Sequence, residues 1–101
     1  MSIKRPFAPH YGTNQVVSLA AGVAQSITLS NSDIAVNIAN SGNAVLYARL
    51  SNAATTATTA DFPVLPNQRE RIEKMQDFTT LSLFSPVGTT VNVMTGQGGF
   101  N

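Results

Sequence analysis

The side chains able to do chemistry are few. The single histidine, His10, stands in a stretch punctuated by Pro6, Pro9 and Gly12. A catalytic dyad or a zinc site built on it would want partners at a fixed spacing, and none stands nearby in the chain. The acids are Asp33, Asp61, Glu70, Glu73 and Asp77. A glycosidase needs two carboxyl groups flanking the scissile bond. Three of these five fall in one run with Arg69, Arg71 and Lys74 and read as neutralised surface charge. Thr95-Gly-Gln-Gly-Gly99 has a phosphate loop's glycines but lacks its lysine and any following helix. The chain has no cysteine, so disulfides and thiolate metal sites are excluded. The expectation is a protein that is not an enzyme, carries no cofactor and takes no small-molecule substrate.

The elements that would position any site read as β almost throughout. Residues 1–13 alternate prolines with Phe7, His10 and Tyr11. Proline fixes φ and lacks a donor, so this is expected to be an extended arm, either a frayed terminus or one whose rings dock on a neighbouring subunit or on its own domain. Residues 14–101 are expected to form one β-sandwich domain. Gln15–Leu19 is a strand candidate, and Ser26–Ser30 alternates with Ile27 and Leu29 on one face. Ile34, Val36 and Ile38 fall at period two, and Asn40-Ser-Gly-Asn43 reads as a tight hairpin corner in which Gly42 or an asparagine takes positive φ. Ala44–Leu50 is the most apolar strand, with Leu46 and Ala48 facing one way and Val45 and Tyr47 the other.

Residues 51–60 are small and Thr/Ala-rich and read as a long surface loop. A proline-bounded edge segment covers Asp61–Pro66. Arg69–Met75 fits a short helix through Ile72 and Met75, but its position between turn signals and strands favours a strand. Thr79–Phe84 presents Leu81 and Leu83 on one face, Val91–Met94 is the last strand, and a glycine-rich tail follows. About eight strands joined by short turns predict an all-β, antiparallel, jelly-roll-like sandwich.

Length and composition agree with one packed domain. The chain has 101 residues, 43% of them hydrophobic. Only 11% are charged, and such a surface dissolves poorly unless partners cover part of it. The net charge of +1, with no basic stripe beyond Lys4-Arg5, gives no support to nucleic-acid binding. No apolar run reaches the ~18 residues of a membrane-spanning helix. Met1-Ser-Ile-Lys-Arg-Pro-Phe7 has no apolar run behind its basic pair, so no signal peptide is read. Use in the cytoplasm, or in a particle assembled there, is expected. Six of the eleven formal charges lie between Arg69 and Asp77. They form either a solvated edge strand guarded against sheet-to-sheet pairing or an inter-subunit salt-bridge belt through Arg69, Arg71, Glu73 and Lys74.

The order of these pieces carries a resemblance. Asn40-Ser-Gly-Asn-Ala-Val-Leu-Tyr-Ala-Arg49 comes first, then the Ala/Thr stretch, then Asp-Phe-Pro-Val-Leu-Pro66. The charged strand, Leu81-Ser-Leu-Phe84, and Thr-Thr-Val-Asn-Val-Met-Thr-Gly-Gln-Gly-Gly99 follow. Over about residues 34–99 this resembles small all-β structural proteins of tailed bacteriophages, particularly capsid decoration, or cement, proteins. One departure is Asn67, where such proteins often have glycine before the charged strand; asparagine tolerates the left-handed region. The resemblance implies a jelly-roll-like virion protomer on the outer surface of an icosahedral capsid, bridging major capsid subunits as a homotrimer, with no nucleic acid and no membrane as partner. Tyr47 and Arg49 are then suited to contact, being types enriched at interfaces. The arm of residues 1–13 lies outside the likeness; Lys4, Arg5, Phe7, His10 and Tyr11 are expected to anchor the protein because an unpaired aromatic arm gains by docking. Alternatives are a neck, tail or fibre-base component, or a carbohydrate-binding module, although no Trp is present for an aromatic platform.

Overall fold

A computed structural model describes residues 8–97, which contain nine strands and no helix. These are β1 (Ala8–Pro9), β2 (Gln15–Leu19), β3 (Gln25–Thr28), β4 (Ala35–Asn40), β5 (Leu46–Ser51), β6 (Phe62–Val64), β7 (Arg69–Glu73), β8 (Thr80–Phe84) and β9 (Thr89–Gln97). Lys4, Arg5 and Phe7 of the expected anchoring arm, and residues 98–101 of the tail, lie outside the described residues.

The strands pair as a ribbon doubled back on itself. β2 runs antiparallel to β9, β3 to β8, β4 to β7 and β5 to β6, so each pair nests inside the one before. Two further pairings, β4 with β9 and β5 with β8, roll the ribbon closed. One sheet therefore runs β2-β9-β4-β7 and the other β3-β8-β5-β6. This is an all-β antiparallel sandwich with jelly-roll order. β1 adds no new position: it continues the edge of β2 along the far end of β9, Ala8 opposite Gln97 and Pro9 opposite Gly96.

Alternation along each strand fills the space between the sheets. Val17, Leu19, Val36, Ile38, Val91 and Val93 point in from one sheet. Leu46, Ala48, Val64, Leu81 and Leu83 meet them from the other. Burying branched side chains of this size stabilises by roughly 1.5–3 kcal/mol each before chain entropy is charged. Ile72 packs on this core, so Arg69–Met75 gives a strand with the inward residue expected of it.

Three expectations change. Asn40–Asn43 is not a hairpin corner: β4 and β5 lie in different sheets, and the segment crosses between them. No residue there takes positive φ. Glycine is needed at position 42 for space, because a Cβ would collide with the Thr89 side chain and come within 3.1 Å of the Thr90 nitrogen. Asn67 does take the left-handed region, at φ 58°. The Thr/Ala segment is a mostly exposed surface loop, as expected, with one anchor on the outer face of β8: the buried Ala57 N–H donates to the buried Ser82 hydroxyl at 2.8 Å. Lastly, β9 runs on through Thr95-Gly96-Gln97, because Gly96 is flanked in register by Ala35 and Pro9.

Candidate functional site

The closest polar constellation is centred on Asp33, in the link between β3 and β4. Its carboxylate is buried, yet it is fully furnished with donors. The Thr95 hydroxyl donates to Oδ2 at 2.7 Å, His10 Nδ1 donates to the same oxygen at 2.7 Å, and Gln97 Nε2 donates to Oδ1 at 3.1 Å. Burial pushes the Asp33 carboxyl up, but the Thr95, His10 and Gln97 hydrogen bonds, with the charge of His10, outweigh it and hold the group below the usual carboxylate range. The partners lie 23, 62 and 64 positions away in the chain, which is why spacing gave His10 no neighbour. The arm is thereby fastened to its own domain: the His10 N–H also donates to the Thr95 carbonyl at 2.8 Å. This cluster holds a carboxylate and positions a strand. Among the described residues no group of His, Cys, Asp or Glu is arranged to hold a metal ion.

Lys74 adjoins this cluster and departs from the surface charge expected of it. It follows β7 and is 3% exposed, its Nζ donating to the carbonyls of Met75 at 3.2 Å and Gln76 at 3.4 Å. Burial lowers its pKa, while Asp33 and Asp77 pull the other way. Arg69, Arg71 and Glu73 are exposed and alternate along the outward side of β7, opposite Ala39, Asn37 and Ala35. Among the described residues they form no ion pair; the two ion pairs found are His10–Asp33 and Arg49–Asp61.

Tyr47 and Arg49 share the outward face of the four-stranded sheet. Tyr47 is half-buried between its cross-strand neighbours Pro63 and Phe84. Arg49 is exposed, with Nε 3.9 Å from an Asp61 carboxylate oxygen, and a pair that loose and wet contributes little. Tyr11 stands in solvent at 83% exposure. The expected contact residues are thus spread over the arm, the outward faces of both sheets and one buried position.

The topology gathers a surface that no motif marked. Residues 20–24, 41–45, 65–68 and 85–88 are the four links at one end of the sandwich, and none carries a charge. Val23, Leu65 and Val87 stand exposed among them, Val87 at 72%. These links are built firmly. Asn40, buried at the start of the sheet crossing, donates through Nδ2 to the carbonyls of Ala44 at 2.7 Å and Val64 at 3.0 Å. Its Oδ1 accepts from Thr89 Oγ1 at 2.8 Å and Gly42 N–H at 3.2 Å. Ser85 Oγ donates to the Val45 carbonyl and accepts from Gly88 N–H, both at 2.9 Å. The Gly22 N–H donates to the Ser85 carbonyl at 2.8 Å. The links at the opposite end carry His10, Asp33, Asp61, Lys74 and Asp77. Compositional scanning could have noticed four uncharged turns, but only the strand order places them side by side. No family model, no curated protein and no solved structure matches this chain.

Proposed function

We propose that this chain is a structural protein of a phage virion that binds the outer surface of an icosahedral capsid. It stabilises the shell by bridging major capsid subunits, as a homotrimer. The observation that carries this reading is the rigid, charge-free end of the sandwich with Val23, Leu65 and Val87 exposed. An apolar, pre-ordered patch suits docking on a protein surface, because little side-chain entropy is lost there and no charge is desolvated. The resemblance over residues 34–99 and the jelly-roll order point the same way, and the low charged fraction fits a protein whose surface is partly covered.

The mechanism is mass action. A ligand that binds only the assembled shell lowers that state's free energy by about 2.7 kcal/mol per site when its free concentration is 100 times its Kd. Repeated over many sites, this raises the barrier to rupture without any reactive group.

The test is co-sedimentation of the purified chain with capsids of its own phage from which it has been stripped, followed by thermal melting of the shells. Binding together with a raised melting temperature is expected. Val23→Asp/Val87→Asp should keep the β circular-dichroism spectrum yet abolish binding. Absence of binding by the unsubstituted protein, or full binding by the double variant, would overturn the reading.

A further inference from the structure

We propose that the arm is an exchangeable strand: between two copies of this chain, β1 and His10 of one copy occupy the β9 edge and the Asp33 socket of the other. The inference concerns the free protein and does not depend on capsid binding.

The socket is built without the arm. Asp33 keeps Thr95 on one oxygen and Gln97 on the other when His10 leaves, so the carboxylate stays paired and held in place. Gln97 also donates to the Ser32 carbonyl at 3.1 Å, bracing the same loop. What departure uncovers is the free edge of β9 at residues 95–97, a row of backbone groups that another strand can pair with. Among the described residues the arm attaches through the two-residue β1 pairing, the His10 N–H to Thr95 carbonyl bond and the His10–Asp33 bond. These can be reproduced unchanged by the same segment of another copy, the condition that makes exchange inexpensive; the Thr95 N–H to Thr13 hydroxyl bond, at 3.3 Å, belongs to the turn that would extend.

A hinge joins arm and domain. Residues 10–14 loop out between β1 and β2 through a turn in which the Thr13 hydroxyl donates to the His10 carbonyl at 2.6 Å and Gly12 stands at φ +88°. Nothing lies within 4 Å of where a Gly12 Cβ would be, so the turn is open to solvent and can extend without a clash. Extended, five residues reach about 17 Å. Tyr11 at 83% exposure sits on this hinge, and Met75 at 64% exposure follows the buried Lys74 at the same end. Both are apolar surface open to an adjoining copy, and covering them would favour exchange.

The chain has no cysteine, so a disulfide can report the pairing. Ala8 and Gln97 are directly opposed across β1 and β9, and facing residues of an antiparallel pair stand at a separation a disulfide can bridge. Two full-length variants, Ala8→Cys and Gln97→Cys, are mixed, oxidised and run on a non-reducing denaturing gel. Exchange predicts covalent heterodimers whose yield rises at least several-fold with protein concentration. The double variant should then give linked oligomers. Two outcomes overturn the proposal: no heterodimer from the mixed single variants, whatever the mass in solution, or a double variant linked only within single chains at every concentration.

Discussion

Removing the Asn40 side chain tests whether the uncharged end is held by that one amide. Asn40 is 2% exposed and satisfies all four of its hydrogen-bonding positions, joining the sheet crossing to β6 and to β9. In Asn40→Ala the Gly42 N–H is only partly buried and can turn to water. The carbonyls of Ala44 and Val64 cannot turn away. Stranding each should cost about 1–2 kcal/mol, and the emptied volume adds about 1 kcal/mol. The sum, about 3–5 kcal/mol, is a large share of the ~5–15 kcal/mol that holds a domain of this size. In urea this should lower the unfolding midpoint by about 2–3 M at ordinary slopes for a small domain. Asn92→Ala, on the outward face of the neighbouring strand, is the control and should change stability by less than ~0.5 kcal/mol. An Asn40→Ala midpoint within about 0.5 M of the unsubstituted protein would refute the account, because the carbonyls must then have found other partners.

Two further predictions concern the opposite end. The folded state lowers the Asp33 pKa, so the stability it contributes is present above the unfolded value of about 3.9 and is lost as pH falls through the folded value. Asp33→Asn should therefore flatten part of the acid limb of a stability-versus-pH curve, and an unchanged limb would contradict the assignment. Lys74 has a lowered pKa because burial disfavours its charge, so it costs stability at neutral pH, and the cost is relieved as pH rises through its folded value towards the unfolded one. Lys74→Met should accordingly leave the urea midpoint unchanged or raise it, and a loss beyond about 1 kcal/mol would show that the ammonium's contacts outweigh its desolvation.

Which residues face inward was legible from the chain, since alternation is a local property: Val36 with Ile38, Leu46 with Ala48, and Leu81 with Leu83 sit where period two puts them. The strand nature of Arg69–Glu73 and the left-handed Asn67 were equally local, each set by turn chemistry within a few residues. The pairing partner of each strand was not. A strand's hydrogen-bonding edges carry no address, so a corner that reads as a hairpin joined two sheets, and Ala57, with no bulk to mark it as core, became buried because Ser82 offered it a hydroxyl. The same holds for charge. Asp33 and Lys74 look like ordinary surface residues; only the folded chain brings Asp33 its distant donors and buries Lys74 near it, although the carbonyls Lys74 meets, Met75 and Gln76, are its chain neighbours. Composition determined that this surface would be poor in charge. Only the tertiary structure decided that four uncharged turns share one end and the polar socket the other, because the strand order of the rolled ribbon sets which turns become neighbours.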